Sequence, residues 1–90
     1  MSEVAEILEQ RNGTHGDFTE NATISQTLKR DMRAAPGWYR LRPYEMEALE
    51  QIALKLSRIL SLGGDAHFVD HWLDLSGYAT LAAERNKDFK

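Results

Sequence analysis

Apolar residues recur every three or four positions along most of the chain, and polar caps and glycine or proline breaks divide that pattern into four helical segments. In the first, Ser2 stands as an N-cap, Glu3 and Glu6 suit the positive end of the helix, and Val4, Ile7 and Leu8 form a short stripe that Asn12-Gly13 closes. Asp17 followed by Glu20 opens the second, in which Phe18, Ala22, Leu28 and Met32 carry the periodicity to about Arg33. Ala34-Ala35-Pro36-Gly37 breaks it, and Trp38-Tyr39 is expected to fold back as a hydrophobic plug.

The third segment is the clearest. Pro43 fits a helix first turn, Glu45 and Glu47 complement the dipole, and Met46, Leu49, Ile52, Ala53, Leu56, Ile59 and Leu60 recur at helical spacing. Gly63-Gly64 closes it. Asp65 is the expected cap of a fourth helix reaching about Asn86, with Phe68, Trp72, Leu75, Ala79 and Ala82 as its packing arc. No alternating β-branched run competes. The expected fold is all-α: one domain over residues 1–90, about four helices in an antiparallel bundle. Ninety residues make only a thin core. Phe68 and Trp72 on one face are the side chains a dimer partner would cover.

Composition narrows the chemistry. An apolar fraction of 42% and a charged fraction of 28% are ordinary for a soluble globular chain. There is no cysteine, which removes disulfides, thiolate metal sites and cysteine nucleophiles. A net charge of −3 disfavours bulk nucleic-acid binding. The distribution matters more: Lys29, Arg30, Arg33, Arg40 and Arg42 form a basic segment, and Glu45, Glu47, Glu50, Asp65, Asp70 and Asp74 an acidic set. With no signal-peptide pattern and no apolar run of membrane-spanning length, the expected setting is the cytoplasm, without a membrane.

The candidate site lies on the third and fourth segments. Glu47 and Glu50 are three apart and share a face, which Leu54 and Arg58 continue. His71, Asp74 and Tyr78 form one stripe beside the packing arc, with Asp70 farther toward solvent. Helices joined by a Gly-Gly turn are expected as antiparallel neighbours, so their carboxylates could converge. Such oxygens suit Mg²⁺ or Mn²⁺, which would hold a triphosphate and activate a water. Each residue also has a plain role. His15, in THGDF (Thr14 to Phe18), is a loop hydrogen-bonding residue or a phosphate contact. His71 is a helix-margin histidine or a metal ligand. Tyr78 packs its ring or stacks a base.

The spacing Glu47-x-x-Glu50, then His71-x-x-Asp74, resembles the E-x-x-E…E-x-x-D signature of the MazG-like all-α nucleotide pyrophosphohydrolases. ALEQIALKLSRIL (Ala48 to Leu60), DHWLDLSGYATL (Asp70 to Leu81), and Arg11 with THGDF resemble a small phage and prophage family of uncharacterised proteins. The first resemblance implies Mg²⁺ or Mn²⁺ held by Glu47, Glu50 and Asp74, and cleavage of nucleoside triphosphates to monophosphate and pyrophosphate. His71 stands where the signature has Glu, so one carboxylate ligand is missing and the site is expected to be altered, weakened or dead. Asp70 is the substitute ligand nearest in sequence. Lys55 and Arg58 are phosphate-binding candidates by their chemistry. The alternative is a non-catalytic accessory protein that binds a host or phage protein.

Overall fold

The computed structural model describes residues 3–4 and 16–89. The first predicted segment lies outside them apart from residues 3–4, and His15 lies outside them too. The regular structure of the described residues is all helical, with no strand: α1 (Phe18–Ala34), a 3₁₀ turn (Trp38–Arg40), α2 (Pro43–Leu60), α3 (Val69–Asn86) and a closing 3₁₀ turn (Lys87–Phe89). No helix among them is long and apolar enough to cross a membrane.

Local chemistry sets most boundaries. Asp17 caps α1, its carboxylate accepting the Glu20 N–H at 3.1 Å. The helix stops at Ala34 because Ala35 precedes Pro36 and takes an extended conformation, φ −66° and ψ 139°. At the start of α2 Pro43 occupies the first turn, and Glu45 reaches back to accept the Arg42 N–H at 2.7 Å. Two expectations are corrected in the following loop. First, α2 ends at Leu60, before the two glycines, because Glu20 of α1 takes both the Ser61 hydroxyl and the Leu62 N–H at 2.5 Å. Second, α3 starts at Val69, three residues later than a cap at Asp65 would place it. The Asp65 carboxylate accepts the His67 N–H at 2.9 Å and so closes a turn of its own.

Packing supplies two further corrections. Trp38 is half-buried, lining an apolar groove with Met32, Leu41 and Leu49, whereas Tyr39 is 79% exposed and plugs nothing. On α3 the buried face is turned away from Trp72. His71, expected at the margin, is 1% exposed, while Trp72 is 53% exposed and donates its indole N–H to the Ala66 carbonyl at 2.8 Å. On the neighbouring chain segment Ala53 and Ser57 of α2, and Ser61 just beyond its end, follow at four-residue intervals and are all buried. Among the described residues, the buried positions are Ala48, Ala53, Gly16, Asn21, Ser25, Ser57, Ser61 and His71. The centre is therefore small and polar, and the large aliphatic residues sit around it.

Candidate functional site

The two longest helices, α2 and α3, form the most extensive contact in the fold. The Lys55 ammonium meets the Asp74 carboxylate at 2.7 Å, and the Tyr44 hydroxyl donates to the Asn86 side chain. Lys55 is eleven residues beyond Tyr44, and Asp74 is twelve before Asn86, so the helices are antiparallel neighbours as expected. These contacts also fix the register, and the register decides the site.

Glu47 precedes Lys55 by eight residues, and Glu50 precedes it by five. At 1.5 Å rise per residue they lie about 12 Å and about 7.5 Å along the axis from the level of Asp74. Each acid also has its own partner. Glu50 takes a forked pair of hydrogen bonds from Arg33 of α1, at 2.9 and 3.2 Å. Glu47 accepts from Gln51 at 2.8 Å. Asp70 is exposed in the first turn of α3, and His71 is buried, its ring edge-on to Phe68 at 4.9 Å. Among the described residues, no three histidine or acidic side chains form a group able to hold a metal ion. The structure therefore does not gather Glu47, Glu50, Asp70, His71 and Asp74 into one site.

It does bring together a different subset. Lys55 and Arg58 on α2 lie beside His71 and Asp74 on α3. The Lys55 side chain is only 14% exposed, against 46% for Asp74. The hydrogen bond from Lys55 holds the Asp74 carboxyl below the usual carboxylate range, and the charges of Lys55, His71 and Arg58 act in the same sense. Lys55 is the group in contact with the acid, and Arg58 and His71 act on it from farther away. One turn farther along α3, Tyr78 lines an open groove with Tyr44, Glu47, Ala48, Leu81 and Arg85. A basic seam therefore runs beside a groove containing two tyrosines.

The polar tie between Glu20, Ser61 and Leu62 escaped the sequence reading, as did the buried Ser57. A signal for the second was present, since Ser57 and Ser61 extend the arc of Ala53 at i+4 and i+8. A partner forty-one residues away, which is what Glu20 supplies to Ser61, leaves no local trace.

The seam has a pH signature. A carboxyl whose folded pKa is depressed adds stability that is complete above its ordinary value of about 4 and is lost as pH falls through the lowered one. Lys55→Met removes the main cause of the depression. The stability gap between wild type and Lys55→Met, from urea unfolding at pH 7, 5 and 3, is expected to be widest at pH 7 and 5 and to shrink by pH 3. A gap independent of pH would show that Asp74 gains nothing from Lys55.

No protein-family model matches the chain, and neither the curated proteins nor the solved structures include a match to it.

Proposed function

We propose that this protein binds a nucleotide at the seam between α2 and α3. Lys55 and Arg58 are its phosphate contacts, and the groove of Tyr44 and Tyr78 receives the base. The observation behind this reading is a largely buried Lys55 paired with Asp74, with Arg58 on the same helix near enough to act on that carboxylate. An excess of basic groups in a partly enclosed seam attracts an anion, and a guanidinium offers a phosphate two parallel hydrogen bonds. Tyr78 lies one helical turn, about 5.4 Å, beyond Asp74 on the same side of α3. Phosphate and base would thus occupy adjoining positions.

Metal-dependent hydrolysis to monophosphate and pyrophosphate, which the MazG-like resemblance implies, is the stronger form of this reading. It requires carboxylates gathered on Mg²⁺ or Mn²⁺, whereas Glu50 and Asp74 are engaged with Arg33 and Lys55. The reading is therefore one of binding. The alternative, an accessory protein that binds a host or phage protein, draws on exposed apolar side chains such as Leu60 and Leu62.

Calorimetric titration with a nucleoside triphosphate at low salt tests the proposal. Arg58→Ala is expected to weaken binding about tenfold or more, the worth of one charge-assisted hydrogen bond. Asp74→Asn separates the two forms of the reading. In a metal-free anion-binding site it frees Lys55 and tightens binding, whereas in a metal site it abolishes any Mg²⁺-dependent gain. Absence of binding at millimolar nucleotide would end this reading and favour the accessory protein.

A further inference from the structure

The groove that Tyr44 and Tyr78 share with Ala48 also carries one acid, Glu47, and one base, Arg85. Glu47 is exposed on α2 and Arg85 on α3. Among the described residues neither forms an ion pair, with the other or with a third group. Glu47 is nevertheless held, because the Gln51 amide one turn on donates to its Oε2 at 2.8 Å. An ionised carboxylate has about four acceptor positions, so that one bond orients the side chain and leaves most of its acceptors to the groove. Tyr44 is held as well. Its hydroxyl donates to the Asn86 side chain, which also hydrogen-bonds the Glu45 carboxylate. An aromatic wall and an oriented carboxylate are thus in place before any ligand arrives.

Size and position fit one part of a nucleotide. The groove holds about 210 Å³, below the roughly 300 Å³ at which sites for whole small-molecule ligands begin. That volume suits a single flat ring system whose remainder lies along the seam. Glu47 stands about 12 Å along α2 from the level of Lys55, within the length of an extended nucleoside triphosphate whose phosphates sit on Lys55 and Arg58. Reading a base by stacking on aromatic rings and by hydrogen bonds to its edge is a general mode of recognition.

We infer that the base received here is guanine, an inference that rests on the nucleotide site proposed above and adds the identity of its base. A carboxylate only accepts hydrogen bonds. Guanine presents two adjacent donors, N1–H and the N2 amino group, to the two carboxylate oxygens. Adenine sets an amino donor beside the N1 lone pair, cytosine sets one beside the N3 lone pair, and uracil has a single N–H between two carbonyl oxygens. Each of those bases turns at least one acceptor toward Glu47, where it is repelled and left unpaired. Arg85 favours the same choice. On its other edge guanine carries O6 and N7, two acceptors that a guanidinium takes as a bidentate pair, whereas adenine has an amino donor in the place of O6.

Calorimetric titration at low salt with the triphosphates of guanosine, inosine, adenosine, cytidine and uridine tests this. GTP is expected to bind about tenfold or more tighter than ATP, CTP or UTP, the worth of one bidentate base contact. Inosine triphosphate, which lacks the N2 amino group, should fall between. Glu47→Gln replaces one acceptor with an amide donor, the pattern that complements N1 and N6 of adenine. It should weaken GTP about tenfold and narrow or reverse the preference over ATP, with an unchanged melting temperature because the side chain is exposed. A merely structural role for Glu47 would instead weaken every nucleotide alike. Arg85→Ala should reduce the preference for GTP without abolishing it. Equal affinity for all five nucleotides, preference for another base, or a GTP preference that survives Glu47→Gln would each overturn the inference while leaving the nucleotide site standing. Binding of none of the five would end both.

Discussion

Replacing Gly16 with alanine is expected to destabilise the protein by about 2–4 kcal/mol. Two independent costs combine. Gly16 has φ +82°, a left-handed conformation that costs an L-residue about 1–2 kcal/mol. Its Cα is also pressed against the α2–α3 loop, where an added Cβ would stand 2.1 Å from the Ser61 hydroxyl oxygen, 2.8 Å from the Ser61 Cβ and 3.1 Å from the Gly64 nitrogen. Overpacking of this kind typically costs about 1–3 kcal/mol. Ser61 cannot withdraw freely, since its hydroxyl is bound to Glu20 at 2.5 Å and its N–H to the Ser57 carbonyl at 2.9 Å. In a domain this size the loss corresponds to a fall in melting temperature of roughly 10–30 °C. Urea unfolding checks it as a lower midpoint with an unchanged slope. Ser61→Ala in the same chain removes the oxygen clash but not the backbone strain, and should recover only part of the loss. A Gly16→Ala variant within ~0.5 kcal/mol of wild type would mean that the turn before α1 does not hold the loop.

The boundaries that were legible in the sequence are those set by neighbouring residues. Asp17, Pro36, Pro43 and Glu45 act within a few positions of themselves, so α1 and the start of α2 appear where periodicity and caps place them. The features that were not legible depend on distant groups. Asp65 looks like a helix cap from its neighbours, but it closes a turn within a loop of eight residues, 61–68. That loop sets how far α3 slides along α2. Register was therefore beyond a reading of spacings, and convergence of Glu47 and Glu50 with Asp74 is a statement about register. Likewise, Arg33 reaches Glu50 from another helix, which no spacing within α2 reveals. Lys55 and Arg58 could be named as phosphate-seeking residues from their chemistry, but their placement beside Asp74 required the structure. The rotation of α3 escaped for a related reason. Hydrophobic size favours Trp72 over His71 as a buried residue, yet His71 is 1% exposed and Trp72 53%.

His71→Ala carries the other large expected effect, about 2–4 kcal/mol, and it bears directly on the site. His71 is the largest fully buried side chain among the described residues. Truncating it opens a void in the buried interior, with the cost known for removing large core side chains. About 0.5–1.5 kcal/mol of that is the edge-on contact with Phe68, whose ring lies at 79° to the imidazole. His71→Phe restores a ring of similar girth and should recover much of the loss, leaving the cost of the missing polar nitrogens. The pair of variants also discriminates between roles. A histidine that ligates a metal makes the melting temperature rise with Mn²⁺ in wild type and not in His71→Phe, because binding to the folded state alone stabilises it. A histidine that fills the gap between two helices gives parallel Mn²⁺ titrations for the two proteins. The burial of the ring and the distance of Glu47 and Glu50 from its level favour the parallel result. A response confined to wild type would instead make His71 a metal ligand and revive the hydrolytic form of the nucleotide reading. With parallel titrations, His71 would anchor α3 so that Asp74 stays within reach of Lys55, a positioning role that His71→Phe should largely preserve in nucleotide affinity and His71→Ala should not.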